Sequence, residues 1–275
     1  MNDLTNDFNG LFGDKLRLPA SIKHLRLSYH AARPFPHLII DDLFSDQLLD
    51  TLVLEMEKMA AHQWIKNNID SRESTARMRS GADLGPAGIQ LTSIVHSAAF
   101  LHLLSEISGV WQLLPDPYLQ GAGYAQMRRG DHFQIHSDRS VAYNTGLTRR
   151  LAMIIFLNKS WPPEFAGQLE LWNDDSSRCE VSIEPKFNRT VLFEVANPNF
   201  HGVPAPLTCP SDRLRQSFIL YYHTADLHSH SNVRPHSSIF APQFSNKVSL
   251  SLRAIVRDIT PPLIRRGIMK LLNRI

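Results

Sequence analysis

"RRLAMIIFLN", residues Arg149–Asn158, contains the longest purely apolar run of the chain, Leu151–Leu157. That run is far too short to cross a bilayer. It is one of six short β-rich stretches. The others are "GYAQMRR" (123–129), "GQLELW" (167–172), "CEVSIEP" (179–185), "RTVLFEV" (189–195) and "QSFILYYHT" (216–224). Clusters of Gly, Pro, Asn and Asp separate them, as turns separate strands. From Pro115 onward this texture predicts an antiparallel sandwich or barrel, with helices ahead of it.

Upstream, residues 1–36 read as irregular and end in the Pro-rich "RPFPH" (33–37). "HLIIDDLF" (37–44) reads as a short buried strand. Ser45 is placed to cap a helix over Asp46–Ala61, because Leu48, Leu49, Leu52, Met56 and Met59 fall on one helical face. "SRESTARMRSGADLGPAG" (71–88) is polar and reads as a loop. A second helix over Ala98–Ile107 ends before Gly109. No internal repeat is visible. The chain divides into a helical N-terminal region with an entering strand (1–114), a β domain (115–226), and a loop with a basic helical tail (227–275).

The chain has 275 residues, of which 43% are hydrophobic and 20% charged, an ordinary globular composition that excludes a disordered chain. Two cysteines, Cys179 and Cys209, make no disulfide framework and fit a reducing compartment, the cytoplasm. The opening "MNDLTNDFNGLFGDK" lacks a basic segment followed by an apolar one, so no secretory signal is predicted. The glycosylation match Asn188-Arg-Thr190 is discounted for the same reason. Net charge is +3, but residues 247–275 carry seven basic residues and one acidic. That tail is therefore +6 and the remainder −3, so the basicity belongs to the tail.

"HFQIHSDRS" (132–140) places His136 and Asp138 two apart. On a strand such residues share a face, so both can aim at one ion. His201, just after "RTVLFEV" and a short turn, supplies a third ligand. Two histidines and one carboxylate form the facial triad of non-haem Fe(II) oxygenases, with positions left open for a bidentate 2-oxo acid and dioxygen. In "DRLRQSFILYY" (212–222), Arg215 and Ser217 share a strand face. A guanidinium with a neighbouring hydroxyl suits the co-substrate's distal carboxylate. Arg213 lies on the same face and competes for the role; Ser217, two residues on, favours Arg215.

These motifs, in this order, resemble the 2-oxoglutarate/Fe(II) oxygenases of the prolyl-4-hydroxylase-like superfamily. The matching elements are His136-x-Asp138, the strands over 149–172, "PKFNRTVLFEV", His201-Gly-Val and Arg215-x-Ser217, within Pro36–Thr224. The resemblance implies a mainly β fold: a double-stranded β-helix (jelly roll) core buttressed by N-terminal helices. It implies Fe(2+) on His136, Asp138 and His201, with 2-oxoglutarate and O2 as co-substrates and ascorbate as a candidate reductant. The implied reaction is hydroxylation of an unactivated C–H with release of succinate and CO2, and the Asp138 carboxylate favours hydroxylation over halogenation. Two features depart from the family. Ala166-Gly167 stands for Gly-Gly, and Met127 and Phe133 stand where tyrosines are common. Tyr124 or Gln126, on the strand leading in, are the substitutes for a hydroxyl contact to 2-oxoglutarate.

The substrate stays open between a peptide residue, a small molecule such as a free amino acid, and a glycan or lipid-linked intermediate. A rival reading is a catalytically inactive metal-binding jelly-roll scaffold recruited to a membrane or partner through its tail. The tail carries apolar stripes, Leu252/Ile255/Val256/Ile259 and Ile264/Ile268/Leu271/Leu272/Ile275, flanked by basic residues. It reads either as helices packed on the body or as a basic amphipathic contact with a partner or the inner membrane face. Nucleic acid is disfavoured, since no aromatic residues interleave with the basic ones. His223, His228, His230 and His236 lack a positioned carboxylate and are not read as a metal site. Arg149 and Arg150 read as structural or gatekeeping, Trp172 and Tyr222 as core, and Asp174-Asp175 as a hairpin turn.

Overall fold

The computed structural model describes residues 5–69, 72–143, 145–225 and 238–242. Expectations for the basic tail 247–275, and for His228, His230 and His236, fall outside them. Residues up to Ala241 form one compact unit.

The N-terminal stretch is helical where the sequence reads as irregular. α1 spans Thr5–Phe12 and α2 spans Ile22–Ala31. Ser21 caps α2, its hydroxyl accepting from the His24 N–H, and Leu25 and Tyr29, one turn apart, are its buried residues. β1 (His37–Asp41) follows, then α3 (Asp46–Lys58), with Ser45 accepting from Leu48 N–H as predicted. The polar stretch read as a loop is mostly ordered. β2 (Trp64–Ile69) and β3 (Glu73–Met78) form an antiparallel hairpin, and α4 (Pro86–Val95) starts with Pro at its first turn. α5 (Ala98–Ser108) is capped by Ser97 and closed by Gly109 at φ 75°.

The remaining strands are β4 (Leu114–Pro115), β5 (Gly123–Met127), β6 (His132–Ser137), β7 (Thr148–Phe156) and β8 (Leu169–Trp172). β9 (Cys179–Ile183), β10 (Arg189–Glu194), β11 (His201–Val203), β12 (Arg215–Thr224) and β13 (Ile239–Phe240) complete them. All six β-rich runs of the sequence are strands. They join in one antiparallel sheet ordered β1-β10-β7-β12-β5-β3-β6-β11-β8-β9, with β2, β4 and β13 paired on its margins. The sheet curls into the expected double-stranded β-helix, with β3 pairing β5 at one end and β6 at the other.

β12 is buried almost throughout, and its alternation explains why. Phe218 and Tyr222 face the helices: Phe218 packs edge-on against Tyr124, and Tyr222 donates to the Val95 carbonyl at 3.3 Å. Arg215, Ser217, Ile219 and Tyr221 face the interior cavity. Both cysteines are free. Asn188 is buried, its amide bonded to the Phe44 carbonyl and Asp46, so it is no glycosylation acceptor in this fold. Asp174-Asp175 is a turn between β8 and β9, with Asp175 accepting from Ser177 N–H.

Glu55 joins the helical layer to the sheet. Its carboxylate accepts from Ala87 N–H (2.7 Å) and Gly88 N–H (3.1 Å) at the start of α4, and from the Tyr124 hydroxyl (2.7 Å) on β5. Glu55→Ala should therefore cost about 2–4 kcal/mol of stability by chemical denaturation, since it removes a charged helix cap and leaves a buried hydroxyl unpaired. Tyr124→Phe should cost only about 1 kcal/mol.

Candidate metal centre

β6 and β11 are neighbours, with His201 directly opposite His136. Asp138 follows one residue beyond the end of β6. The three side chains are buried, and one ligand atom from each lies within 4.8 Å of the others. His136 Nε2 is 3.5 Å and His201 Nε2 3.7 Å from opposite oxygens of Asp138. Each histidine turns its Nδ1 to the carbonyl two residues before it, Gln134 at 2.8 Å and Asn199 at 3.1 Å. A carbonyl only accepts, so Nδ1 carries the proton and the Nε2 lone pair points at the shared centre.

The local backbone is shaped for this. Between His136 and Phe133, β6 spans three residues while β11 spans two, from His201 to Val203. Such a bulge re-aims side chains. It brings Phe133 to the face of His136, where the rings stack at 3.9 Å. Opposite the bulge stands Gly202, whose position admits no side chain. A Cβ there would lie 2.7 Å from the Phe133 carbonyl oxygen and 2.9 Å from that of Gln134.

Burial pushes His201 down to about 4, so it is neutral near pH 7 and free to ligate. Burial raises Asp138, but His136, His201 and Arg149 around it outweigh that effect and hold the carboxyl well below its usual range. Two imidazoles and a carboxylate on adjacent antiparallel strands fit a divalent metal with open positions, the donor set of a non-haem iron site.

The triad lines a cavity shared with Arg215, Ser217, Met127, Phe133 and Tyr221. Arg215 is buried, and desolvation lowers its pKa to about 10. Its Nε donates to the Gly167 carbonyl at 2.6 Å, and the guanidinium lies 5.0 Å from the Phe156 ring centre. Among the described residues no carboxylate lies within ion-pair distance of it. Gly167, at φ 88°, clears the way: a Cβ there would meet Arg215 Cδ at 3.0 Å. Its neighbour Ala166 takes φ 58°, ψ −157°, a region glycine occupies freely and alanine rarely does. This is the position at which the resemblance leads one to expect glycine. Arg213, the competing candidate, lies outside the cavity and donates to the Lys159 and Ser160 carbonyls.

Tyr124 does not reach the cavity. Its side chain is on the helical face of β5, donating to Glu55, so it is no contact for 2-oxoglutarate. Gln126 borders the cavity, but alternation sends its side chain to the same face as Tyr124, across from Gln216. The strand faces inward through Ala125 and Met127, paired with Ser217 and Arg215. Three cavity residues were missed in the sequence: Thr75 and Arg77 on β3, and Tyr221 on β12. The alternation Glu73, Thr75, Arg77 against Ala76, Met78 is the signal that marks β3 as a strand. Tyr221 sits on the face of Arg215 and Ser217, six residues on. Burial and the nearby Asp138 charge push its hydroxyl up to about 12. Arg149 lies over the Tyr221 ring at 3.9 Å and donates to the Gln120 carbonyl, a structural role as expected. His223 is buried on β12, away from the triad's cavity.

Comparison with known proteins adds independent findings. Residues 122–235 match the 2OG-Fe(II) oxygenase superfamily. Prolyl 3-hydroxylase OGFOD1 of Mus musculus is 34% identical over 77 residues, covering 26% of this chain and 14% of that protein. A prolyl-4-hydroxylase of Pseudomonas putida superposes with TM-score 0.53 at 16% identity, over 74% of this chain and 100% of that one. HygX of Streptomyces hygroscopicus, solved with nickel, 2-oxoglutarate and hygromycin B, gives TM-score 0.52 at 12% identity, over 78% and 96%. At these identities the structural likeness concerns the fold.

Two outcomes follow from the site. Gly202→Ala should displace His201 and weaken binding of divalent metal by about tenfold or more, measured by titration with Co(II). Metal-free protein should lose stability as pH falls from about 6.5 toward 4. His201 and His223 are both lowered to about 4 by burial, so in that window the unfolded chain binds more protons. A Tm that stays flat between pH 7 and pH 5 would refute this.

Proposed function

We propose that this chain, whose residues 122–235 match the 2OG-Fe(II) oxygenase superfamily, is an Fe(II)- and 2-oxoglutarate-dependent dioxygenase of the prolyl-4-hydroxylase-like type. It hydroxylates an unactivated C–H bond, releasing succinate and CO2. The observation that carries the reading is Arg215. A buried guanidinium with no acidic partner among the described residues, in the same cavity as two histidines and a carboxylate, calls for an anionic ligand there.

His136, Asp138 and His201 would hold Fe(II). Arg215 and Ser217 would grip the distal carboxylate of 2-oxoglutarate. When bound, the iron and co-substrate supply the oxidising chemistry, and the protein aims it. Met127, Phe133, Ile154 and Phe193 line the cavity with apolar surface that excludes water around these groups. Phe133 and Met127 replace hydroxyl contacts with packing. Tyr221 is the cavity's phenol, and on this reading it takes the place that Tyr124 was expected to fill.

A scaffold of this type does not fix the substrate. A peptide residue, a small molecule and a glycan all remain within the reading. Residues 247–275, with charge +6, support a cytoplasmic protein that contacts an anionic membrane face or a partner. The inactive-scaffold alternative is disfavoured, because metal binding alone has no use for a buried cation beside the ligands.

The test is succinate release from 2-oxoglutarate by anaerobically purified, Fe(II)-loaded protein once oxygen is admitted, beside His136→Ala. Iron-dependent succinate that vanishes in the variant is expected. Absence of both succinate and the visible band of an Fe(II)–2-oxoglutarate complex would return the scaffold reading. Arg215→Ala should raise the 2-oxoglutarate requirement about ten- to a hundredfold, the worth of a charge-assisted bidentate contact.

A further inference from the structure

The chain beyond the long strand β12 returns to the metal ligands. β13 pairs antiparallel with β6, setting Phe240 opposite His136 and Ile239 opposite Ser137. The pairing is extended by Ala241, whose N–H donates to the Ile135 carbonyl at 2.9 Å. On this side of β6, β3 covers the first residues, with Ser74 opposite His132 and Glu73 opposite Phe133. The backbone of Gln134 is tied to the Arg72 carbonyl at 2.8 Å. β13 alone, among the described residues, covers the stretch that carries His136 and leads into Asp138.

Residues directly opposite in an antiparallel pair place their side chains on the same face. β11 sets His201 opposite His136 from the other side. One cross-strand row therefore runs His201, His136, Phe240, and the phenyl ring stands on the ligand face of the sheet. Its centroid is 5.8 Å from the His136 ring and 6.2 Å from Phe133. The Arg72 guanidinium covers it at 5.0 Å. His136 is thus hemmed by three rings: Phe133 at 3.9 Å, His201 at 4.6 Å and Phe240.

We propose that Phe240 is a positioning residue for the metal centre. Its ring and the β13 backbone hold the end of β6, fixing the imidazole plane of His136 and the departure of Asp138. This goes beyond the double-stranded β-helix, which supplies all three ligands and Arg215 without β13. It rests on the reading of the triad as a metal site. In consequence the segment after the core is part of the site's construction.

The experiment is Co(II) titration of the full-length metal-free protein, followed by its visible d–d absorption and by Tm. Wild type, Phe240→Ala, Phe240→Tyr and His136→Ala are compared. Phe240→Ala should weaken Co(II) binding about tenfold and change the band shape, the usual scale for groups that orient a ligand. Its metal-free Tm should stay near wild type, and Phe240→Tyr should restore affinity. Phe240→Ala binding Co(II) like wild type, or losing affinity only together with Tm, overturns the role of Phe240 alone. Wild-type protein that takes up no Co(II), like His136→Ala, overturns the metal site itself.

Discussion

The register between β6 and β11 governs the site. These strands come from segments 65 residues apart, and antiparallel pairing sets His201 across from His136. The extra residue in β6 and the missing side chain at Gly202 belong to the same device. Without the bulge, Phe133 and His136 would face opposite ways and the ring stack would not form. Without glycine opposite it, the two backbones would have to part. The histidines then need only their own strands to be oriented, since each fixes its tautomer on a carbonyl two residues back.

Around that register the fold places unlike charges at buried positions. Asp138 sits with the imidazoles, and Arg215 lies in the same cavity with no acid of the described residues at ion-pair distance. An uncompensated buried guanidinium costs several kcal/mol in a medium of low polarity, even with one carbonyl and an aromatic face beside it. The fold tolerates the cost because the charge is held rigidly, between the Gly167 carbonyl and Phe156. An anion bound there would recover that energy, so the folded state is stabilised by its own ligand through mass action.

Much of this was legible in the sequence because strands buried on both faces are written in apolar, β-branched residues. The six β-rich runs and the caps at Ser45 and Gly109 follow from local pattern, and His136, Asp138, His201 and Arg215 from the order of motifs far apart in the chain and the resemblance they carry. Elements with polar residues on their inner face were harder to read. β3 is Glu-Ser-Thr-Ala-Arg-Met, with Thr75 and Arg77 on its cavity side, so its alternation lacks the apolar contrast of the other strands. Tyr124 shows the opposite error. A tyrosine near the motif invites a contact with co-substrate, yet whether its face meets cavity or helix depends on strand phase. Phase was set by Arg215 pairing with Met127, a long-range fact. The N-terminal helices were hidden by short amphipathic stripes that only packing on the body makes stable.

The carboxylate of Glu55 serves α3, α4 and β5 at once. One acceptor shared among three elements means that none can open without stranding a donor on the others. Local opening of α4 is thereby coupled to the strand beside Arg215, and amide exchange at Ala87 and Gly88 reports the opening of the sheet as well as the helix. Through that one carboxylate the helical layer and the curled sheet are coupled, so loosening either exposes donors held by the other.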